Sequence, residues 1–320
     1  AGAQSTGINY TYATTTTAFI AIAAPTTIIA ANTDDALTTI TPPAANWNGF
    51  YYGGVYYPAG SPFYVSSNGF ISFLNPGTSL PTNNLAGTPA VIAPLWDDLK
   101  IKSTGLVKWG FGGGAPNRTI TIEWDSVLWD HNATVIALSF QIRIFERTAG
   151  ANANVIEIRY LNNGTGTANV NNGSGGASCG LSGYCSGDVF AWPGAPGGLA
   201  PTKTSPENSA IASHPGSTNG YKFTPVVHPN DDCAGAQNLG TFNPGLPIIK
   251  TLGTTLHSTQ SAVTLPSAGC GVALTTTSDV WFTFTKPANI TNFEIFIDSL
   301  DCRGSNYQMG MELYTACGGA

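Results

Sequence analysis

The chain has 320 residues, of which 9% are charged and 42% hydrophobic, and its 12 Lys and Arg against 18 Asp and Glu give a net charge of −6. This balance excludes a nucleic-acid binder, which needs a basic patch, and the hydrophobic fraction excludes a disordered chain. Soluble domains usually carry about 25% charged residues, so such a weakly charged surface is typical of a secreted or cell-surface protein. No apolar run reaches the roughly 18 residues of a membrane-spanning helix.

The first segment, residues 1–33, is Thr-rich, apolar and extended in pattern. It begins Ala-Gly-Ala-Gln, which is typical of the end of a cleavage site, so we expect export to the cell exterior or outer surface after signal-peptide removal. Residues 10–31 have two interpretations. They form the first strand of the following domain, or they pair with an open sheet edge of a like subunit, because main-chain hydrogen bonds make strand addition strong.

Antiparallel strands are predicted along most of the next 190 or so residues, because apolar and polar residues alternate in runs separated by Gly, Asn and Pro. In residues 118–124, for example, Ile120, Ile122 and Trp124 share one face. The other strands are expected at residues 50–57, 63–65, 70–74, 90–95, 106–110, 139–146, 154–160, 189–192 and 221–224. Residues 162–187 and 194–213, rich in Gly and in Asn, Ser or Pro, predict long loops.

The composition changes at residues 225–229, which we interpret as a linker. Residues 230–320 form a second unit, and the sequence ends directly after its last predicted strand, so we expect this unit to be incomplete. Its strands are predicted at residues 279–286, 292–298 and 309–314.

All six cysteines lie in the second half of the chain, and an even number in an exported protein indicates disulfides. The alternatives are reduced thiols or a zinc site, and against zinc the sequence has no CxxC pair and only four His. We expect neighbours in sequence to pair, as Cys179–Cys185, Cys233–Cys270 and Cys302–Cys317.

Carboxylate pairs near strand ends suit calcium, which takes six to eight oxygen ligands. Asp97 and Asp98, which follow Trp96, are the best placed, so calcium is the metal that these carboxylates would bind, and no other cofactor is expected. The alternative is turn chemistry, in which Asp side chains accept bonds from nearby backbone N–H groups. The other acidic pairs are Asp34-Asp35, Asp231-Asp232 and Asp298 with Asp301.

Residues 176–180 formally match G-x-S-x-G, the pattern of a nucleophile elbow centred on Ser178. That elbow needs a strand before it and a helix after it, so we interpret the segment as a loop pinned by a disulfide.

Residues 110–115 loosely resemble a dinucleotide loop, but a strand follows, which indicates a hairpin turn.

Glu123 and Glu157 are the carboxylates that a glycosidase would need. The alternation places both on the solvent face of the sheet, beside Arg143 and Arg159, where cross-strand charge pairing explains them. No catalytic residue is predicted, and the dense tryptophans and tyrosines are expected in the core.

Six phrases in chain order carry a resemblance to a known family. They are Asp34-Asp35, residues 48–57, Val65-Ser-Ser-Asn-Gly-Phe-Ile-Ser-Phe73, and residues 92–99, 105–109 and 116–124. Over residues 34–224 the chain thus resembles the nidogen-like β-sandwich module of surface proteins that bacteria export through the type IX secretion system. The resemblance implies an adhesin, stalk or fibre component without catalytic residues.

Residues 230–320 are similar to the first part of a pre-peptidase-C-terminal-like jelly roll, on Asn230-Asp-Asp-Cys233 and residues 278–284. The prediction is therefore an all-β fold with two β-sandwich or jelly-roll-like domains, the second incomplete. Bacteria with the type IX secretion system often O-glycosylate Asp-Ser/Thr-apolar motifs. The resemblance therefore makes Ser126 and Ser299 candidate glycosylation sites.

The expected function is that of an exported bacterial surface protein, an adhesin stalk or extracellular filament subunit. We expect it to bind like subunits, by strand addition or surface packing, and glycans. The alternative is a carbohydrate-binding accessory region of a secreted hydrolase or peptidase.

Overall fold

The structure is a computed structural model that describes residues 8, 10–15, 19–167, 175–203, 206–215, 220–242, 279–295, 311 and 313. The chain divides into two compact units, a larger one of residues 7–52 and 57–225 and a smaller one made mainly of residues 226–320. The described residues form strands and two single 3-10 turns, at Gly150–Asn152 and Cys233–Gly235, which confirms the all-β prediction. No helix in this part of the chain could cross a lipid bilayer.

The strands are numbered in chain order. They are β1 (Tyr10–Thr15), β2 (Thr26–Ile29), β3 (Leu37–Ile40), β4 (Phe50–Tyr52), β5 (Val55–Tyr57), β6 (Phe63–Ser66), β7 (Phe70–Ser72), β8 (Val91–Trp96), β9 (Leu99–Gly112), β10 (Thr119–Trp129), β11 (Ile136–Phe145), β12 (Ile156–Leu161), β13 (Ser178–Ser182), β14 (Val189–Ala191), β15 (Gly220–Pro225), β16 (Gln237–Thr241) and β17 (Phe282–Thr285).

The larger unit is a sandwich of two antiparallel sheets. One sheet has seven strands in the order β1-β15-β12-β11-β10-β9-β2, and the other has six in the order β14-β13-β8-β7-β6-β3. The indole N–H of Trp124 in the first sheet donates to the backbone carbonyl of Ser66 in the second sheet at 2.8 Å. The hydroxyl of Tyr160 in the first sheet donates to the backbone carbonyl of Pro94 in the second at 2.6 Å. The hydrophobic core lies between these two sheets.

The inner face of the seven-stranded sheet follows the alternation in the sequence. Ile122 lies opposite Ile142, which lies opposite Ile158, and all three are fully buried. Burying apolar area of this kind contributes about 25 cal/mol per Å². The prediction that most of the tryptophans are core residues is confirmed for those with at most 1% exposure: Trp47, Trp96, Trp124, Trp129 and Trp192.

The N-terminal segment pairs within the chain at both edges of one sheet. β1 pairs with β15, and β2 pairs with β9 at the opposite end of the strand order. Between them, the chain crosses the outer face of the sheet, where the backbone of Ile20 contacts the side chain of Gln141. The first of the two interpretations of this segment is therefore the one that the structure shows.

The predicted solvent face of this sheet is wrong, and the crossing covers it at Gln141. Glu123 is 4% exposed, Glu157 is 8% exposed and Arg159 is 1% exposed, although their positions alternate with the core residues as surface residues do. The predicted cross-strand charge pairing is present between Arg143 and Glu157 at 3.6 Å. Glu123 pairs instead with Lys108 of β9 at 2.8 Å, and Arg159 contacts Glu157 within β12 at 2.5 Å. Sequence alternation distinguishes two faces of a sheet but does not show what covers each face.

Several element boundaries also differ from the prediction. β13 lies inside the predicted loop at residues 162–187, and β9 extends well beyond residues 106–110. In the smaller unit, β16 pairs with β17 in parallel, and described residues 292–295 are not in a strand, although one was predicted there. Of the strand predicted at residues 309–314, only Met311 and Leu313 are described.

Candidate functional site

Three of the family phrases meet around Asn68, which is fully buried in the turn between β6 and β7. Its amide Nδ2 donates to Oδ1 of Asp35 at 2.8 Å, and its Oδ1 accepts from the backbone N–H of Leu99 at 3.0 Å. Its own backbone N–H donates to Oγ of Ser66 at 3.0 Å. Buried polar groups need such partners, so one side chain fixes the Asp35 turn against the beginning of β9.

Gly69, the next residue, has a physical reason to be glycine. Its φ is +82°, a conformation that costs glycine little and other residues more. A Cβ at this position would also overlap the carbonyl oxygen of Leu95 in β8. The Asn-Gly pair of the Ser-Ser-Asn-Gly-Phe phrase is thus required by close packing of this turn on the neighbouring strand.

The turn presents an acidic cluster, formed by Asp34, Asp35 and Asp98. One carboxylate oxygen from each lies within 4.8 Å of the others; Asp34 and Asp35 are exposed and Asp98 is half-buried. Asp34 is placed by an antiparallel bridge to Lys100 at the start of β9, and Asp35 accepts a bond from Oγ of Ser79 at 3.1 Å. Two distant parts of the chain therefore supply one group of negative charges.

His131 is the basic partner of this cluster. Its Nδ1 lies 2.7 Å from Oδ2 of Asp98. Burial lowers the pKa of His131, but the hydrogen bond and charge of Asp98 raise it by more, so it lies above its ordinary value. Burial raises the pKa of Asp98, His131 opposes that effect, and the charges of Asp35 and Asp34 add to it. The cluster therefore takes up a proton on His131 more readily than an isolated imidazole does.

The structure separates the two residues of the predicted calcium site. Asp98 belongs to the acidic cluster, whereas Asp97 is 1% exposed and points into the sandwich. Its Oδ2 accepts from the indole N–H of Trp129 at 2.7 Å, and its Oδ1 accepts from the backbone N–H of Asp98 at 2.8 Å. Among the described residues, the group of carboxylates close enough to share a cation does not include Asp97.

Calcium binding at this cluster stays a prediction. Three carboxylates supply hard oxygen ligands of the right kind, but calcium takes six to eight oxygens. In the sequence, Asp34-Asp35 is a separate acidic pair, and no pattern indicates that it joins Asp98, or that His131 does. All six residues of β8 are buried, so alternation could not show which of the two aspartates after Trp96 faces outward.

Ser178 lies in a structural network and not in a nucleophile elbow. It is the first residue of β13 and is fully buried, so the predicted loop is wrong here. Its Oγ donates to Oε1 of Glu207 and accepts from Nδ2 of Asn83 at 2.8 Å. Glu207 also accepts bonds from the backbone N–H groups of Leu85 and Ala86. The network fastens the segment before β8 to the edge of the sheet.

Cys179 is a free thiol that is 1% exposed, so the predicted Cys179–Cys185 disulfide is wrong. Burial raises its pKa, which keeps the thiol protonated and unreactive. Cys179 lies on β13, all of whose residues are buried, so its side chain packs in the protein interior. Cys270, Cys302 and Cys317 lie outside the described residues, and the two pairings that involve them stay predictions.

Ser126 lies at a break in the pairing register of β10, with φ of +59°. Its Oγ donates to Oδ1 of Asp125 at 2.9 Å, and the residue is half-buried. Ser299 and the pair Asp298 and Asp301 lie outside the described residues. Glycosylation of either serine stays a prediction.

Comparison with known proteins gives one match. The family model described as NIDO related matches residues 9–225, which is more than half of the chain and includes β1 and β2. No curated protein and no solved structure matches the chain significantly. The matched residues contain the Asn68 turn, the acidic cluster and both sheets of the sandwich. The chain therefore belongs to the NIDO-related family.

Proposed function

We propose that this chain is an exported bacterial cell-surface protein that acts by binding and assembly, as an adhesin stalk or extracellular filament subunit. Its partners are like subunits, which it meets by strand addition or surface packing. Membership of the NIDO-related family supports this proposal. The low charge supports it too, because 9% charged residues leave little electrostatic repulsion between neighbouring copies.

The observation that carries the proposal is the position of β1 and β2 at the two ends of the seven-stranded sheet. Among the described strands of that sheet, β1 pairs with β15 and β2 pairs with β9. Soluble proteins usually protect such edges with Lys, Pro or short strands, because an open edge is a template for another chain. β1 is six residues long, Tyr-Thr-Tyr-Ala-Thr-Thr, and carries neither charge nor proline.

A second candidate is a carbohydrate-binding accessory region of a secreted hydrolase or peptidase. It rests on Trp109 and Phe111, two half-buried aromatic residues of β9. Their ring centroids are 5.2 Å apart, and partly exposed rings of this kind provide an apolar surface on which a sugar ring packs. Glycan binding would then depend on Trp109.

Finer parts of the proposal go beyond the family assignment. They are export through the type IX system, a jelly-roll-like second domain, disulfides among the cysteines other than Cys179, and glycosylation at Ser126 and Ser299. Each follows from the resemblance and from the motifs in the sequence.

Electron microscopy of the natively exported protein, with intact mass measured on the same sample, tests the proposal. We expect regular fibres or stalks with a repeat of one or two subunits. Monodisperse single particles at all concentrations contradict it. In that case, glycan-array binding that is lost in Trp109→Ala but kept in the exposed control Ser103→Ala supports the accessory-region candidate.

A further inference from the structure

The N-terminal segment lies across the outer face of a sheet to whose two ends it also contributes a strand. We call residues 19–24 the strap; they lie on the outer face of the seven-stranded sheet, between β1 at one edge and β2 at the other. β11, which the strap contacts, is the central strand in the order. The strap is therefore held by side chains that project from the sheet and not by a neighbouring strand.

Gln141 makes the main polar contact with the strap. Its Nε2 donates to the carbonyl of Ile20 at 2.6 Å, and its Oε1 accepts from the N–H of Ile20 at 3.3 Å. One side-chain amide thus provides both bonds that a partner strand provides to one residue. The same Nε2 also donates to Glu123 at 2.7 Å, and Glu123 pairs with Lys108, which fixes the orientation of the amide.

Gly110 on β9 provides room for the strap. A Cβ at Gly110 would lie 2.5 Å from Cγ2 of Ile22, which is closer than two non-bonded carbon atoms approach. The absence of a side chain therefore creates a depression in the sheet face that the Ile22 side chain occupies. Gln141 and Gly110 together recognise an extended apolar segment, by its backbone at Ile20 and by its side chain at Ile22.

The surface beneath the strap has the composition of a surface that faces water. Gln141, which contacts the strap, lies opposite Glu123 on β10 and opposite Arg159 on β12, and the alternation of the strands gives all three the places of solvent-facing residues. The strap in turn leaves its outer side exposed, since Ile20 is 36% exposed and Ala21 and Ala23 are exposed. Removing the strap alone therefore uncovers polar groups that water can solvate. The flanking residues Tyr10 and Ile29 are 4% exposed, so their apolar contacts must be remade on the second copy.

From this we infer that the strap is exchangeable between copies of the chain. The N-terminal segment, from Ile8 to Ile29, leaves its own sheet, and the same segment of a second copy takes its place on Gln141 and Gly110. Every contact is reproduced in the exchanged form, which is why swapping an element is a low-cost route to assembly. The turn that follows β2 is a suitable hinge, because Asn32 already has φ of +58°. The inference rests on the proposed function and names its interface.

Cysteine pairs in full-length chains test the inference. Because the Cβ position of Gly110 is 2.5 Å from Cγ2 of Ile22, the Cβ atoms of Ile22→Cys and Gly110→Cys fall within the roughly 4.5 Å that a disulfide spans. One chain carries only Ile22→Cys, and a second, tagged chain carries only Gly110→Cys. The two are mixed reduced, left to assemble and then oxidised. A link between positions 22 and 110 of different copies forms only if the strap of one lies on the sheet of the other.

We expect this mixed link in at least tenfold excess over the matched control, Ile22→Cys mixed with Ser103→Cys, an exposed position on the same strand. The inference is overturned if the mixed pair gives no excess while the double variant Ile22→Cys/Gly110→Cys oxidises completely within single chains. Fibres that form in that second case leave the proposed function standing without the exchange. Linked soluble dimers without fibres support the exchange and contradict the filament.

Gln141→Ala gives a readout that does not depend on cysteines at the strap. Losing both bonds to Ile20 should speed the mixing of isotopically labelled and unlabelled subunits by about tenfold. Ser103→Ala should leave the mixing rate unchanged. An unchanged mixing rate in Gln141→Ala, with folding verified by its thermal transition, overturns the inference.

Discussion

At Gly69 the chain passes so close to β8 that a side chain has no room. We predict that Gly69→Ala lowers the free energy of unfolding by about 4 kcal/mol or more, because the added Cβ overlaps the Leu95 carbonyl and the backbone has positive φ. Urea unfolding measures the loss. Gly60→Ala is the matched control, because Gly60 has φ of +88° with nothing within 4 Å of the added Cβ, so its loss should be about 1 kcal/mol. Equal losses in the two variants contradict the close contact.

Asp188 makes the stability of the N-terminal attachment depend on pH. Its Oδ1 accepts from the N–H of Ile8 at 2.6 Å. Burial raises the pKa of Asp188 from 3.8 to about 6, although the Ile8 bond and the charge of Lys203 oppose this. The folded protein therefore binds the proton more tightly than the unfolded chain. This contribution to stability is complete below pH 3.8 or so and is lost as the pH rises through about 6.

We predict that Asp188→Asn removes this part of the pH dependence. Because the amide keeps an acceptor for Ile8 and carries no charge, the variant should have a higher Tm than the unchanged chain at pH 7. Its Tm should vary less between pH 4 and pH 7. Thermal unfolding across that range measures both effects. The exposed control Glu294→Gln should follow the unchanged chain, and an Asp188→Asn profile that does the same contradicts the prediction.

At the scale of elements, the Glu207 network holds the segment before β8 in place. We predict that Glu207→Ala lowers the free energy of unfolding by about 2–4 kcal/mol, because the backbone N–H groups of Leu85 and Ala86 lose their acceptor. Hydrogen exchange should show these two amides losing protection. Ser178→Ala is the control that removes one hydroxyl and keeps the carboxylate, so it should cost about 1 kcal/mol and leave both amides protected.

The sequence predicts a strand wherever apolar and polar residues alternate strictly along it. β10, β11 and β12 were predictable for this reason, and so was the burial of Ile122 between them. β13 was not, because Ser-Cys-Gly-Leu-Ser has neither alternation nor strong strand propensity and its strand forms only through pairing with β8 and β14. Tertiary pairing overrides local preference at such positions.

The candidate site was half predictable for a related reason. The sequence places Asp98 after a buried strand, and the structure places Asp98 in the acidic cluster. The contribution of Asp34 and Asp35 depends on a bridge between Asp34 and Lys100, which no local pattern encodes. The burial of Glu123 depends on a segment that crosses from a hundred residues away in sequence, which periodicity alone cannot show.

At the scale of the whole molecule, the N-terminal segment supplies the strand at each end of the seven-stranded sheet. β1 extends the sheet beyond β15, β2 extends it beyond β9, and the strap joins them across the outer face. The family match includes this segment from residue 9 onward, so it belongs to the NIDO-related unit and is not an appendage to it. Among the described residues, a single segment therefore forms both terminal strands of this sheet, and it is the element that we propose is exchanged between copies.

This arrangement predicts that assembly depends little on ionic strength. Charged residues make up 9% of the chain, and β1, β2 and the strap contain none of them. The contacts of these elements are hydrogen bonds between uncharged groups and apolar packing, which salt does not screen. The distance over which charges interact, in contrast, shortens from about 10 Å at 0.1 M salt to about 3 Å at 1 M. Light scattering should therefore give nearly the same assembled fraction at both NaCl concentrations, and sulfate at equal ionic strength should increase it, because sulfate strengthens apolar burial. Assemblies that dissociate as NaCl rises would show that charged surfaces, and not the N-terminal segment, hold the copies together.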